Sequence, residues 1–233
     1  MSFRCFHLIP GTWLVLTCAA SFPLHASANE IGGNVALTSD YVFRGISQTQ
    51  ERPAWQGGLR ADASNGLYGS VWVSRVDFET ATAATAEIDY VVGWHRRLGD
   101  NWTGDVNATW FSYASAGELN YLEWIATVAW RDRTWLMTGA SRDVFATGRT
   151  GIYAQAGQRI ALSDATRLEF AGGYYWLDHA YGHSYAHAQG MVAWLVHPRI
   201  ELRVLGHLTD HNARTNFGDL AGPRIEAALQ ASF

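Results

Sequence analysis

The chain has 233 residues, 48% hydrophobic and 13% aromatic, with only 16% charged and a formal net charge of −4. It contains no lysine and no basic run, so it lacks the stripe that neutralises phosphates, and nucleic acid is excluded as a partner. Beyond residue 28 there is no cysteine, which excludes disulfides and thiolate metal sites, and no apolar run of roughly 18 residues that would mark a membrane-spanning helix.

The first element is a leader. Arg4 supplies a positive start, Leu8 to Ser21 is mostly apolar, and Ala26-Ser27-Ala28 has the small-x-small form of a signal-peptidase site. The apolar part is shorter than the ~20 residues a spanning helix needs. Thr17 before Cys18 is larger than the residue a lipoprotein signal carries at that place. Residues 1–28 are therefore expected to be a cleaved secretory signal peptide, and residues 29–233 a single domain.

That domain reads with period two. From Gly33 to Arg44, Val35, Leu37, Tyr41 and Phe43 share one face while Asn34, Thr38, Asp40 and Arg44 share the other. Trp55, Leu59 and Ala61 oppose Gln56, Arg60 and Asp62; Trp102, Val106, Ala108 and Trp110 oppose Thr103, Asp105, Asn107 and Thr109. Carried along the chain, this parity gives strands at 33–44, 54–63, 67–78, 87–94, 102–111, 121–130, 134–141, 151–161, 167–176, 185–196, 200–207 and 223–233. The connections after odd strands are long and most of those after even strands are tight. These features predict an all-β fold, an antiparallel up-and-down transmembrane β-barrel of about twelve strands with both termini periplasmic.

Aromatic residues belong at the two membrane interfaces of such a barrel. Trp102 and Trp110 lie eight residues apart on one face, roughly 20 Å of membrane thickness at barrel tilt. Tyr41, Phe43, Trp55, Trp124, Tyr174, Trp176 and Tyr185 fall at predicted outer ends, and Trp94, Trp130, Trp135, Trp194 and Phe233 at inner ends. Phe233 ends the amphipathic run Ile225, Ala227, Leu229, Ala231, and is expected to be the assembly signal read by the barrel insertion machinery.

The segment NVALTSDYVFRGISQTQ, Asn34 to Gln50, with Pro53, Gln56, Gly57 and Gly58 after it, resembles the opening of the TorF-like porins, Gram-negative envelope proteins long catalogued as conserved and uncharacterised. GSVWVSRVDF, Gly69 to Phe78, and Glu87 to Gly93 resemble that family's second and third blocks. The resemblance implies a barrel of the outer membrane, with lipid around it and small ions or solutes inside. From the residues alone, the first block fixes barrel closure or the first outer loop. Asp40 and Arg44 stand about 13 Å apart along a strand, so each needs a partner elsewhere, and Gly45 lets the chain turn back.

The parity assigns Arg44, Arg60, Arg159, Arg167, Arg203 and Arg224, and Asp40, Asp62, Glu87, Asp89, Asp105, Glu123, Glu169, Glu201 and Glu226, to the pore lining. Six arginines against nine acids, in a lumen narrowed by only twelve strands, imply a passive channel with small conductance and weak cation preference. No cofactor is implied. His179, His183 and His187 are the candidates for a metal, although consecutive ones lie about 13 Å apart in an extended run and only a hairpin tip at Gly182-His183 would bring His179 to face His187. An outer-membrane lipid hydrolase is the alternative, with His187 and Ser184, or His207 and Ser141 or Ser112, as the pairs to test; so is a structural barrel with a plugged lumen.

Overall fold

The computed structural model describes residues 30–78 and 82–233, so the expected signal peptide lies outside the described residues. Twelve strands close into one antiparallel barrel. In chain order they are β1 Glu30–Thr38, β2 Ala54–Asp62, β3 Leu67–Arg75, β4 Ala86–Arg97, β5 Trp102–Tyr113, β6 Tyr121–Trp130, β7 Thr134–Ser141, β8 Gly151–Ala161, β9 Thr166–Trp176, β10 Tyr185–His197, β11 Ile200–Thr209 and β12 Arg224–Ser232. Each pairs with its neighbour in sequence, and β1 closes on β12 with Asn34 opposite Ser232.

The alternation in the sequence is what makes these strands two-faced. In β7, Trp135, Met137, Gly139 and Ser141 turn inward and are buried, while Thr134, Leu136, Thr138 and Ala140 turn outward. Every strand carries at least one large apolar side chain exposed on the outer face, for example Val35 on β1, Val92 on β4, Val106 on β5, Phe170 on β9 and Ile225 on β12. A continuous apolar belt of that extent faces hydrocarbon and not water. Trp55, Trp110, Trp124, Tyr174 and Trp176 rim it at one end; Trp102, Trp130, Trp194 and Phe233 rim it at the other, where Phe233 exchanges backbone hydrogen bonds with Gly33. We call these the loop end and the terminus end. The longer connections gather at the loop end, with two short helices, α1 Asp178–Tyr181 and α2 His211–Phe217.

Four aromatic assignments are corrected, and with them the end of the first strand. β1 stops at Thr38, not at Arg44, and the chain then folds into the barrel, burying Tyr41 and Phe43 in its interior and not at a membrane interface. Thr38 Oγ1 donates to the Asp40 carbonyl at 2.6 Å and Ser39 Oγ accepts from the Ala227 amide at 2.9 Å; together they bend the chain off the wall. Tyr185 and Trp135 also lie inside, 1% and 3% exposed, because their strands' inward parity includes them.

Candidate functional site

The block from Ser39 to Arg52 forms a hairpin inside the barrel. Val42 pairs with Ser47 and Phe43 with Ile46, leaving Arg44 and Gly45 as the two turn residues, both with positive φ (50° and 85°). A two-residue turn of that hand matches strand twist and normally calls for Asn-Gly or Asp-Gly. Arginine in that backbone region is costly by about 1–2 kcal/mol. Asp40 secures the hairpin's base, accepting from Ser47 Oγ at 2.6 Å and Thr49 Oγ1 at 2.8 Å.

What offsets the strained turn is the reach it gives Arg44. Its guanidinium crosses the lumen to β6, donating to both Glu123 oxygens at 3.0 and 2.8 Å, with the side chains 3% and 0% exposed. Rings enclose the pair: the guanidinium carbon lies 4.0 Å from the Tyr153 ring centre, 4.6 Å from Phe43 and 4.7 Å from Tyr175. Tyr185 donates to the Arg44 carbonyl at 3.1 Å, and Tyr41 to Glu87 at 3.1 Å. On β7, a Cβ at Gly139 would stand 2.5 Å from Glu123 Oε1, so only glycine leaves room for the carboxylate. Nearby, Tyr153 Oη and His187 Nε2 are 2.7 Å apart, and Glu226 meets His207 at 3.1 Å and Thr38 at 2.9 Å.

The terminus end is lined differently. Arg159 and Arg167 both donate to Glu169 Oε1, at 2.9 and 2.7 Å; Arg167 also grips Glu201, Arg203 donates to Glu201 at 2.6 Å, and Arg203 reaches Gln230 at 2.8 Å. This ladder runs from β8 to β12. It crosses β10 at Ala193, which sits opposite both Arg167 and Arg203 and is small enough to let them span it. On the other wall Arg60 holds Asp62 at 2.8 and 2.7 Å over the Tyr68 ring, and Tyr68 donates to Asp105 at 3.1 Å. Arg167, Glu201 and Arg203 retain 14–19% exposure, unlike Arg44 and Glu123.

Of the fifteen charged residues assigned to the lining, thirteen project from inner strand faces, and Asp40 and Arg44 reach the interior from the hairpin. His179, His183 and His187 are not brought together: His179 is exposed in α1, His183 is exposed just after it, and His187 is buried inside the wall. Among the described residues no cluster of three His, Cys, Asp or Glu side chains could hold a metal ion. The His–Ser pairs do not form either. Ser184 serves the turn around α1, accepting from the Leu177 amide, and His207 faces Glu226. Gly139, Tyr153 and Ala193 went unread in the sequence; a glycine or alanine at an inward strand position was the available sign.

Two findings from known proteins bear on this interior. Residues 24–188 match the model of a family described as "Bacterial protein of unknown function (Gcw_chp)"; no curated protein matches the chain. Among solved structures, the KdgM porin shares 8% identity over 87% of this chain and 98% of its own, with a TM-score of 0.55. The NanC porin shares 10% over 87% and 98%, with a TM-score of 0.51. An outer-membrane channel from Pseudomonas putida F1 shares 12% over 89% and 96%, with a TM-score of 0.55. At these identities the likeness establishes the barrel fold.

Proposed function

The chain belongs to the Gcw_chp family of bacterial proteins of unknown function, and on that premise we propose that it is an outer-membrane channel for small ions and solutes. The observation that carries the reading is a closed barrel with an apolar outside on all twelve strands and a charged inside. Solved barrels of this fold that are named porins or channels support it. The Asn34–Gln50 block supports placing the chain among TorF-like porins, exported to the Gram-negative outer membrane with its termini toward the periplasm. The lumen is narrow, because twelve strands leave little space and the hairpin occupies part of it. Nine lining acids against six arginines give a weak cation preference that fades with salt, since the Debye length of about 10 Å at 0.1 M is comparable to the passage.

Planar-bilayer recording of the refolded barrel under a KCl gradient tests this. Small unitary conductance with a cation-selective reversal potential is expected; anion selectivity sinks the charge argument. The buried Arg44–Glu123 pair favours a second reading, a structural barrel closed by its own hairpin. Silence from a correctly folded barrel selects it over the channel.

A further inference from the structure

At the loop end, between the inner hairpin and the connections that follow β3, β5, β7, β9 and β11, lies a cleft of about 230 Å³. Phe43, Phe145, Tyr181, Tyr185 and Phe217 supply its walls, and Gln48 a polar corner; among the described residues lining it none is charged. The rings meet edge to face or tilted: Phe145 and Tyr181 at 5.8 Å and 81°, Tyr185 and Phe217 at 5.8 Å and 77°, Tyr181 and Phe217 at 5.0 Å and 41°. Such walls offer both ring faces and ring edges to a further ring.

Phe145 provides a second, independent observation. Its backbone is left-handed, φ 51° and ψ 32°, and Ala146 follows at φ 55°. A bulky side chain in that region is a true outlier, and strain of this kind concentrates at ligand clamps. Here it turns the Phe145 ring inward, against Phe43, Tyr121, Tyr175 and Tyr181.

We propose that this cleft is a binding site for a small neutral aromatic solute. An apolar cavity of about 150 Å³ accommodates benzene, so 230 Å³ suits one substituted ring or two fused rings. The ring faces and edges of the walls suit an aromatic solute, and Gln48 gives a phenolic hydroxyl one partner. The proposal goes beyond the channel reading, since binding needs no conduction.

The test is a fluorine NMR titration of 4-fluorophenol against the full-length barrel in lipid nanodiscs, with empty nanodiscs reporting partition into lipid. A saturable shift that requires the protein is expected. Leu119→Trp, which fills the cleft, and Phe145→Gly, which removes a wall while suiting the local backbone, should each weaken binding at least tenfold in barrels that still migrate as folded. Phenol should displace the probe and cyclohexanol should not. A shift equal to that of empty nanodiscs, unchanged affinity in both folded variants, or displacement by cyclohexanol as effective as by phenol overturns the proposal. If the variants do not fold, the competition on the unaltered chain decides.

Discussion

The two ends of the lumen handle polar groups in opposite ways. At the loop end the ion pair Arg44–Glu123 is sealed among aromatic rings; at the terminus end three arginines and two glutamates share a ladder in which Arg159 and Glu169 are buried while Arg167, Glu201 and Arg203 keep 14–19% exposure. The cause is what stands opposite the wall. Where the inner hairpin packs against the wall, side chains such as Glu123 and Tyr175 are desolvated, and a charge among them needs a partner of its own. Where no described segment fills the lumen, Glu169 and Glu201 share arginines, and Glu201 leans on solvent. A buried pair is costly to break because one partner is left uncompensated, by about 3–5 kcal/mol, whereas solvent-reached pairs are worth roughly 0–1 kcal/mol each.

Breaking the sealed pair should therefore have the largest effect. Glu123→Ala strands Arg44, and the hairpin is expected to leave the lumen; single-channel recording should show conductance rising several-fold. Unchanged conductance would mean that the hairpin does not set the constriction. The double variant Arg44→Met, Glu123→Leu should keep the hairpin in place and restore resistance to thermal unfolding, since apolar replacement of a buried pair is often neutral or stabilising.

Gly139→Ala probes the same place from β7, with an intermediate effect. Its new Cβ would fall 2.5 Å from Glu123 Oε1, forcing the carboxylate or the strand to shift. Overpacking of that kind costs roughly 1–3 kcal/mol, read as a lower midpoint for loss of the folded gel species on heating.

The smallest effect belongs to the ladder. Glu201→Gln leaves Arg203 bonded to Gln230 and Arg167 bonded to Glu169, so stability should change by less than about 1 kcal/mol. The reversal potential should still move toward anions, because one lining charge is lost. An equally large stability loss here and at Glu123 would erase the distinction between the two ends.

The wall was legible in the sequence and the plug was not. Period-two alternation placed strands such as β6, β7 and β8 to the residue, because lipid outside and charge inside impose opposite demands on successive positions. The same rule misplaced Tyr41 and Phe43. Parity assumes that the chain stays in the wall, and an aromatic facing lipid looks the same in sequence as one facing a filled lumen. Phe43-Arg44-Gly45-Ile46 did carry a hairpin signal, a glycine-containing pair flanked by apolar residues, and the inner hairpin shows that it meant a turn and not the end of a strand. Likewise Trp135 and Tyr185 sat at strand ends, where girdle and interior cannot be told apart without the partner face.

The position of Glu123 along the chain also bears on how the barrel is made. Arg44 and Glu123 are 79 residues apart, while the contacts of the closing seam, such as Thr38 with Glu226, span 188. Loop-closure entropy rises only logarithmically, about 0.6 kcal/mol per doubling of length, so span alone hardly separates the two events. Order of availability does: the Arg44 contact needs β1 to β6, the seam needs every strand. A half-assembled sheet can thus already be pinned across its concave side by its own first connection, acquiring curvature while its edges are still open. On this account the inner hairpin is a folding brace before it is a fixture of the finished barrel.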